Sequence, residues 1–147
     1  MPEKNMRIVL TGGGTAGHVI PALALVEHLQ AMGFSLYYIG SKNIEKDLVA
    51  QINLPFHEIP AGKLRRYWSW RNITDLGKIF CGFIYSLMIL VKIRPKLVFS
   101  KGGFVAVPVA FAAKILRIPI ITHESDFSPG LATRLVSLVA DQVLCAF

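Results

Sequence analysis

Seven residues, Gly12-Gly13-Gly14-Thr15-Ala16-Gly17-His18, leave this chain few ways to fold. A short β-branched run at 7–11 enters them, and its near-continuous apolarity suits a strand covered on both faces. An amphipathic run at 19–32 follows, with Val19, Ala22, Leu23, Val26, Leu29 and Gln30 at helical spacing, Pro21 in the tolerated first turn and Gly33 as the stop. The reading is strand, backbone-rich turn, helix. A glycine turn in that setting most often cradles an anionic group.

The alternation continues. Strands are expected at 35–39, 56–59, 97–100, 118–122 and 142–146, with helices at 44–51, 106–116 and 131–140. The order β-α-β-α-β requires a parallel sheet with right-handed crossovers, hence an α/β, Rossmann-like, doubly wound fold. A second glycine turn, Lys101-Gly102-Gly103-Phe104, follows the strand at 97–100, so both turns should open at the carboxyl edge of one sheet. The strand at 118–122 runs into His123-Glu124-Ser125-Asp126-Phe127-Ser128-Pro129-Gly130 at that same edge.

Residues 60–72 break the pattern, because Lys63, Arg65, Arg66 and Arg71 alternate with Leu64, Tyr67, Trp68 and Trp70. An apolar segment at 79–91 comes next. Its 13 residues span only ~20 Å as a helix, too short for a ~30 Å hydrocarbon core, so it is not expected to cross a membrane. Cations, tryptophans and an apolar face are the components of a peripheral membrane site. The alternative is a buried crossover helix behind a solvated loop. Phe80, Phe83, Ile84, Leu87, Met88 and Leu90 cover more of the helix circumference than one core-facing stripe requires, which favours membrane contact.

Composition agrees with an apolar, anion-seeking chain. Its 147 residues correspond to one domain, 53% hydrophobic against about 45–50% in ordinary soluble domains. The net charge of +7 suits a phosphorylated ligand, an anionic bilayer or nucleic acid. No nucleic-acid-binding module is recognisable. Cys81 and Cys145 lack metal or redox spacing and read as buried, reduced packing residues. The N-terminus lacks the features of a signal peptide, so a cytoplasmic location is expected.

Gly12, Gly14 and Gly17 match the dinucleotide fingerprint, yet the edge after the second strand reads Gly40-Ser41-Lys42-Asn43, without the acid that holds a ribose. Lys42 leaves an NADP-binding oxidoreductase open. His18, at the helix entrance, is either a cap or a binding and proton-transfer residue. Glu124 and Asp126 either orient sugar hydroxyls and take a proton or shape the turn before Pro129. His123 fits a loop-shaping role, and His28 and His57 structural or solvated ones.

Three stretches together, Gly-Gly-Gly-Thr-Ala-Gly-His-Val-Ile-Pro-Ala at 12–22, Ser-Lys-Gly-Gly-Phe-Val-Ala-Val-Pro at 100–108 and His-Glu-Ser-Asp-Phe-Ser-Pro-Gly-Leu-Ala at 123–132, resemble the MurG family. These are bacterial glycosyltransferases of peptidoglycan synthesis that move N-acetylglucosamine from UDP-GlcNAc onto lipid I, the undecaprenyl diphosphate-linked acceptor, to give lipid II. The resemblance implies the N-terminal, acceptor-side half of a two-domain, metal-independent GT-B enzyme without a cofactor, held peripherally on the cytoplasmic face of the cell membrane. Residues 1–147 would be that domain. The UDP-sugar domain would be supplied in cis or in trans.

On this resemblance Gly13, Gly14, Thr15, Ala16 and Gly17, with Gly102, Gly103 and Phe104, would hold the acceptor diphosphate, and Thr15 to Gly17 would also approach the donor. His18 would be a base for the attacking hydroxyl, and Glu124 and Asp126 would line the cleft. Lys63, Arg65, Arg66, Trp68, Trp70, Phe80, Phe83, Ile84 and Leu87 would contact the bilayer. Two departures stand out: the family's Thr-Gly-Gly-His is Thr-Ala-Gly-His here, and its His-Glu-Gln-Asn is His-Glu-Ser-Asp. An anionic Asp126 would repel a diphosphate, so a sugar hydroxyl or backbone amide suits it better. Without the other half these residues should bind acceptor weakly and transfer nothing. A membrane-binding adaptor that recruits a catalytic chain is the alternative.

Overall fold

A computed structural model of the chain describes residues 5–62 and 70–146. The elements run β1 (Arg7–Thr11), α1 (Ala16–Leu23), α2 (Val26–Ala31), β2 (Ser35–Gly40), α3 (Ile44–Ala50), β3 (Phe56–Glu58), α4 (Trp70–Ile93), β4 (Leu97–Ser100), α5 (Ala106–Ile115), β5 (Ile120–Glu124), α6 (Leu131–Ser137) and β6 (Gln142–Cys145). The strands form one parallel sheet in the order β3-β2-β1-β4-β5-β6. Strand order reverses between β1 and β4, so the loops leaving these two strands part and open a crevice at their carboxyl ends.

Alternation along β1 builds two cores. Ile8 and Leu10 point to one face, where they pack with Val19, Ala22 and Val26 of the first helices and with Leu36 and Tyr38 of β2. Val9 points to the other, packed with Ile39, Val98, Ile120 and the helices α4, α5 and α6. Helix α5 is buried almost all round because it lies between α4, α6 and the sheet. Its four alanines let those neighbours approach.

The structure departs from the sequence expectations at four points. The first helix begins at Ala16, three residues early, which places Pro21 beyond its first turn. Leu25 then donates to the Ala22 carbonyl three residues back, a tightened turn that divides the run into α1 and α2. Strand β5 starts at Ile120, since Ile118 still bonds back to Ala113 as the α5 terminus closes. The cysteines are both free and both exposed, Cys81 on the outer side of α4 and Cys145 on the sheet edge β6.

The fourth departure is the length of α4. This helix has 24 residues, about 36 Å, and is long and apolar enough to cross a membrane by length and composition. A span of 13 residues is therefore too small a measure of it. The helix nevertheless returns the chain to β4 of the same sheet, with Leu90 and Ile93 in the core. Its faces differ. Gly82, Ser86, Leu90 and Ile93 are buried, whereas Ile73, Leu76, Phe80, Ile84, Met88 and Val91 are exposed at helical spacing.

Candidate active site at the sheet switch point

The two glycine turns meet in the crevice between β1 and β4. The Gly13 amide donates to the Gly102 carbonyl at 3.3 Å. Gly103 has φ +85°, and any Cβ there would run into the Gly13 carbonyl, so glycine is required both by conformation and by space. The first turn is anchored from below, where the buried Tyr38 hydroxyl donates to the Gly12 carbonyl at 2.7 Å. Burial, with the charge of Glu45 nearby, pushes the Tyr38 phenol well above its usual range, and it stays a neutral donor.

Around these turns lies a cleft of about 450 Å³. Gly13, Gly14, Thr15 and His18 form one wall, Gly103 and Phe104 the next, and Glu124, Asp126 and Thr133 a third. The structure thus brings together most of the residues that the sequence singled out. Ala16 and Gly17 open α1 directly after the first turn, and Gly102 stands in the second beside the His18 ring.

His18 is fixed by its own loop. Its Nδ1 lies 3.1 Å from the Gly13 carbonyl and 3.2 Å from the Thr15 hydroxyl. A carbonyl oxygen only accepts, so Nδ1 carries the hydrogen, and in the neutral ring Nε2 is left as the proton acceptor. That edge of the ring faces Gly102. The backbone hydrogen bond to Gly13 is the one that a capping role requires, and it also fixes where Nε2 stands.

Glu124 is held differently. Burial by itself would raise its carboxyl, but hydrogen bonds from the Thr133 hydroxyl and the Asp126 and Ser125 amides, with the Lys101 charge, outweigh that and hold it below the usual range. The Asp126 amide donates to Glu124 Oε1 at 2.9 Å. A carboxylate so stabilised is a weak base and a good acceptor for hydroxyls. Asp126 is exposed at the cleft mouth. His123 lies within β5, its Nδ1 buried and without a partner among the described residues.

Three residues at or behind the cleft are not singled out by the sequence, and of these only Asp75 lines it. Lys101 is buried and donates to the Ser125 hydroxyl at 2.8 Å, tying the second glycine turn to the loop after β5. Asp75, buried on α4, lines the cleft. Glu45, fully buried at the start of α3, accepts from the Ser41 amide at 2.8 Å and the Gly14 amide at 3.3 Å. Its position in the first turn of a helix, with Ser41 four residues before it, is the available signal.

The expected membrane residues divide. Lys63, Arg65, Arg66 and Trp68 lie outside the described residues. Trp70, Phe80 and Ile84 are exposed, whereas Phe83 and Leu87 are partly buried against the core. Among the described residues no group of three or more His, Cys, Asp or Glu side chains could hold a metal ion.

A doubly wound half with paired glycine turns at the switch point defines the class, and the chain belongs to the glycosyltransferase family 28 N-terminal domain, whose family model matches residues 8–145. It is 48% identical over 145 residues to the UDP-N-acetylglucosamine--N-acetylmuramyl-(pentapeptide) pyrophosphoryl-undecaprenol N-acetylglucosamine transferase of Clostridium perfringens, covering 98% of this chain and 41% of that protein. The enzyme of the same name from Legionella pneumophila is 49% identical over 141 residues, covering 95% and 39%. The chain thus spans about two fifths of these relatives' length. Among solved structures, MurG of Acinetobacter baumannii superposes with a TM-score of 0.86 at 29% identity, covering 97% of this chain and 42% of that one. A UDP-GlcNAc 2-epimerase from Methanocaldococcus jannaschii, TM-score 0.70 at 15% identity over 97% of this chain and 39% of its own, shares the fold.

Proposed function

We infer that this chain is the acceptor-side half of a peptidoglycan glycosyltransferase that moves N-acetylglucosamine from UDP-GlcNAc onto lipid I, giving lipid II. The observation that carries the reading is the fixed His18 ring between two glycine turns, in a chain whose relatives bear that activity in their names. The acceptor diphosphate lies across the turns, at Thr15, Ala16 and Gly17 and at Gly102, Gly103 and Phe104. His18 Nε2 takes the proton from the attacking sugar hydroxyl as the bond to the donor sugar forms and UDP leaves. Glu124 and Asp126 orient hydroxyls, Glu124 as a charged acceptor that takes up no proton. The UDP-sugar domain comes in cis or in trans.

The exposed stripe of α4, Phe80, Ile84 and Met88 with Trp70 at its start, rests on the cytoplasmic face of the cell membrane beside the polyprenyl tail. The experiment is transfer of labelled GlcNAc to a lipid I analogue by this chain joined to the C-terminal half of the C. perfringens relative. Acceptor-dependent transfer is expected from the joined protein and none from residues 1–147 alone. No transfer by the joined, folded protein, or turnover by the lone domain, overturns the reading.

A further inference from the structure

We propose that Glu45 is the positioning residue of the first glycine turn, closing its inner half so that an anion is received only at the entrance to α1. Glu45 is fully buried, and its two carboxyl oxygens divide their work. Oε1 accepts from the amide and the hydroxyl of Ser41, which fixes the side chain to the end of β2. Oε2 accepts from the Gly14 amide, which fixes the turn to α3. A Cβ built on Gly13 would run into the same carboxyl group, and one built on Gly40 would meet its Cγ. Gly13 and Gly40 therefore leave the room that Glu45 fills.

The consequence is a division of the turn's donors. The Gly13 amide is spent on the Gly102 carbonyl and the Gly14 amide on Glu45, while the His18 amide closes back on the Thr15 carbonyl. Ala16 and Gly17 begin an eight-residue helix and have no carbonyl one turn earlier in it to bond. A negative group beneath Gly13 and Gly14 also repels a second anion from that half of the turn. An incoming diphosphate is thereby displaced toward Ala16 and Gly17, next to the His18 ring. This second part rests on the acceptor reading given above, whereas the first part stands without a ligand.

The test uses the ¹⁵N-labelled chain with inorganic pyrophosphate as the probe. Glu45→Gln leaves one acceptor oxygen, which the two Ser41 donors keep, and turns its –NH2 toward the Gly14 N–H, so Gly14 hydrogen exchange should quicken about tenfold or more while amides of α5 keep their rates. Gly13→Ala, which displaces the carboxyl from the other side, should do the same and serves where Glu45→Gln does not fold. Pyrophosphate should shift the Ala16 and Gly17 amide signals and spare Gly14, and in Glu45→Gln it should reach Gly14 as well. Unchanged Gly14 exchange in a folded variant, or a pyrophosphate shift at Gly14 in the unaltered chain, overturns the proposal. If pyrophosphate moves no signal in either turn, the diphosphate reading of the cleft fails with the second part, and exchange alone decides the role of Glu45.

Discussion

The Nδ1 atom of His18 and the carbonyl oxygen of Gly13 lie 3.1 Å apart, so the glycine turn fixes the tautomer of the ring that follows it. The turn and the ring are one unit, and a change in either should be felt at Nε2. Replacing His18 by Ala should lower kcat of the complemented enzyme about 10²–10⁴-fold and leave unfolding by urea nearly unaltered. An effect on KM with kcat retained would assign His18 to binding only.

The glycines separate conformational strain from lack of space. Gly14 has φ +88° with nothing within 4 Å of where a Cβ would stand, so Gly14→Ala should cost about 1–2 kcal/mol, the penalty of a left-handed alanine. Gly103 has a similar φ but no room beside the Gly13 carbonyl, so Gly103→Ala should cost more than Gly14→Ala and part the two turns. Equilibrium unfolding of the two variants gives the comparison. Equal losses would mean that the turns are not packed together.

Glu124 ties stability to pH. Its folded-state pKa lies below the unfolded value near 4.5, so its contribution is complete above that value and is lost as pH falls through the lower folded one. Unfolding midpoints should therefore drop more steeply between about pH 5 and pH 3 for the natural chain than for Glu124→Gln. Parallel curves would show that the Thr133, Asp126 and Ser125 hydrogen bonds do not favour the charged form.

Helix α4 makes a two-faced prediction. Phe80→Gln, Ile84→Gln and Met88→Gln together should abolish flotation with anionic liposomes at little cost in stability, since all three are exposed. Leu87→Ala, on the side packed against the core, should instead destabilise the fold by about 2 kcal/mol. Flotation that survives the triple substitution would rule out this stripe as the membrane contact.

Much of this arrangement was legible in the chain. Glycine turns after β-branched runs specified the parallel sheet and both loops at its carboxyl edge, because strand period and turn chemistry are local properties. What was not legible depends on distant neighbours. Phe83 and Ile84 are adjacent and equally apolar, yet only packing against α5 decides which faces the core. Glu45 reads as an ordinary acid in the first turn of a helix until β1 and β2 pair and bring Gly14 beside it. Lys101 likewise counts as surface charge until the loop after β5 covers it.

Receipt of the acceptor diphosphate on the two glycine turns can be observed by titrating the ¹⁵N-labelled chain with a short-chain lipid I analogue, and separately with UDP-GlcNAc. The acceptor should shift the amide signals of Ala16, Gly17, Gly103 and Phe104, and UDP-GlcNAc at the same concentration should shift them less. Signals in both turns left unmoved by the acceptor, or moved equally by UDP-GlcNAc, would contradict it.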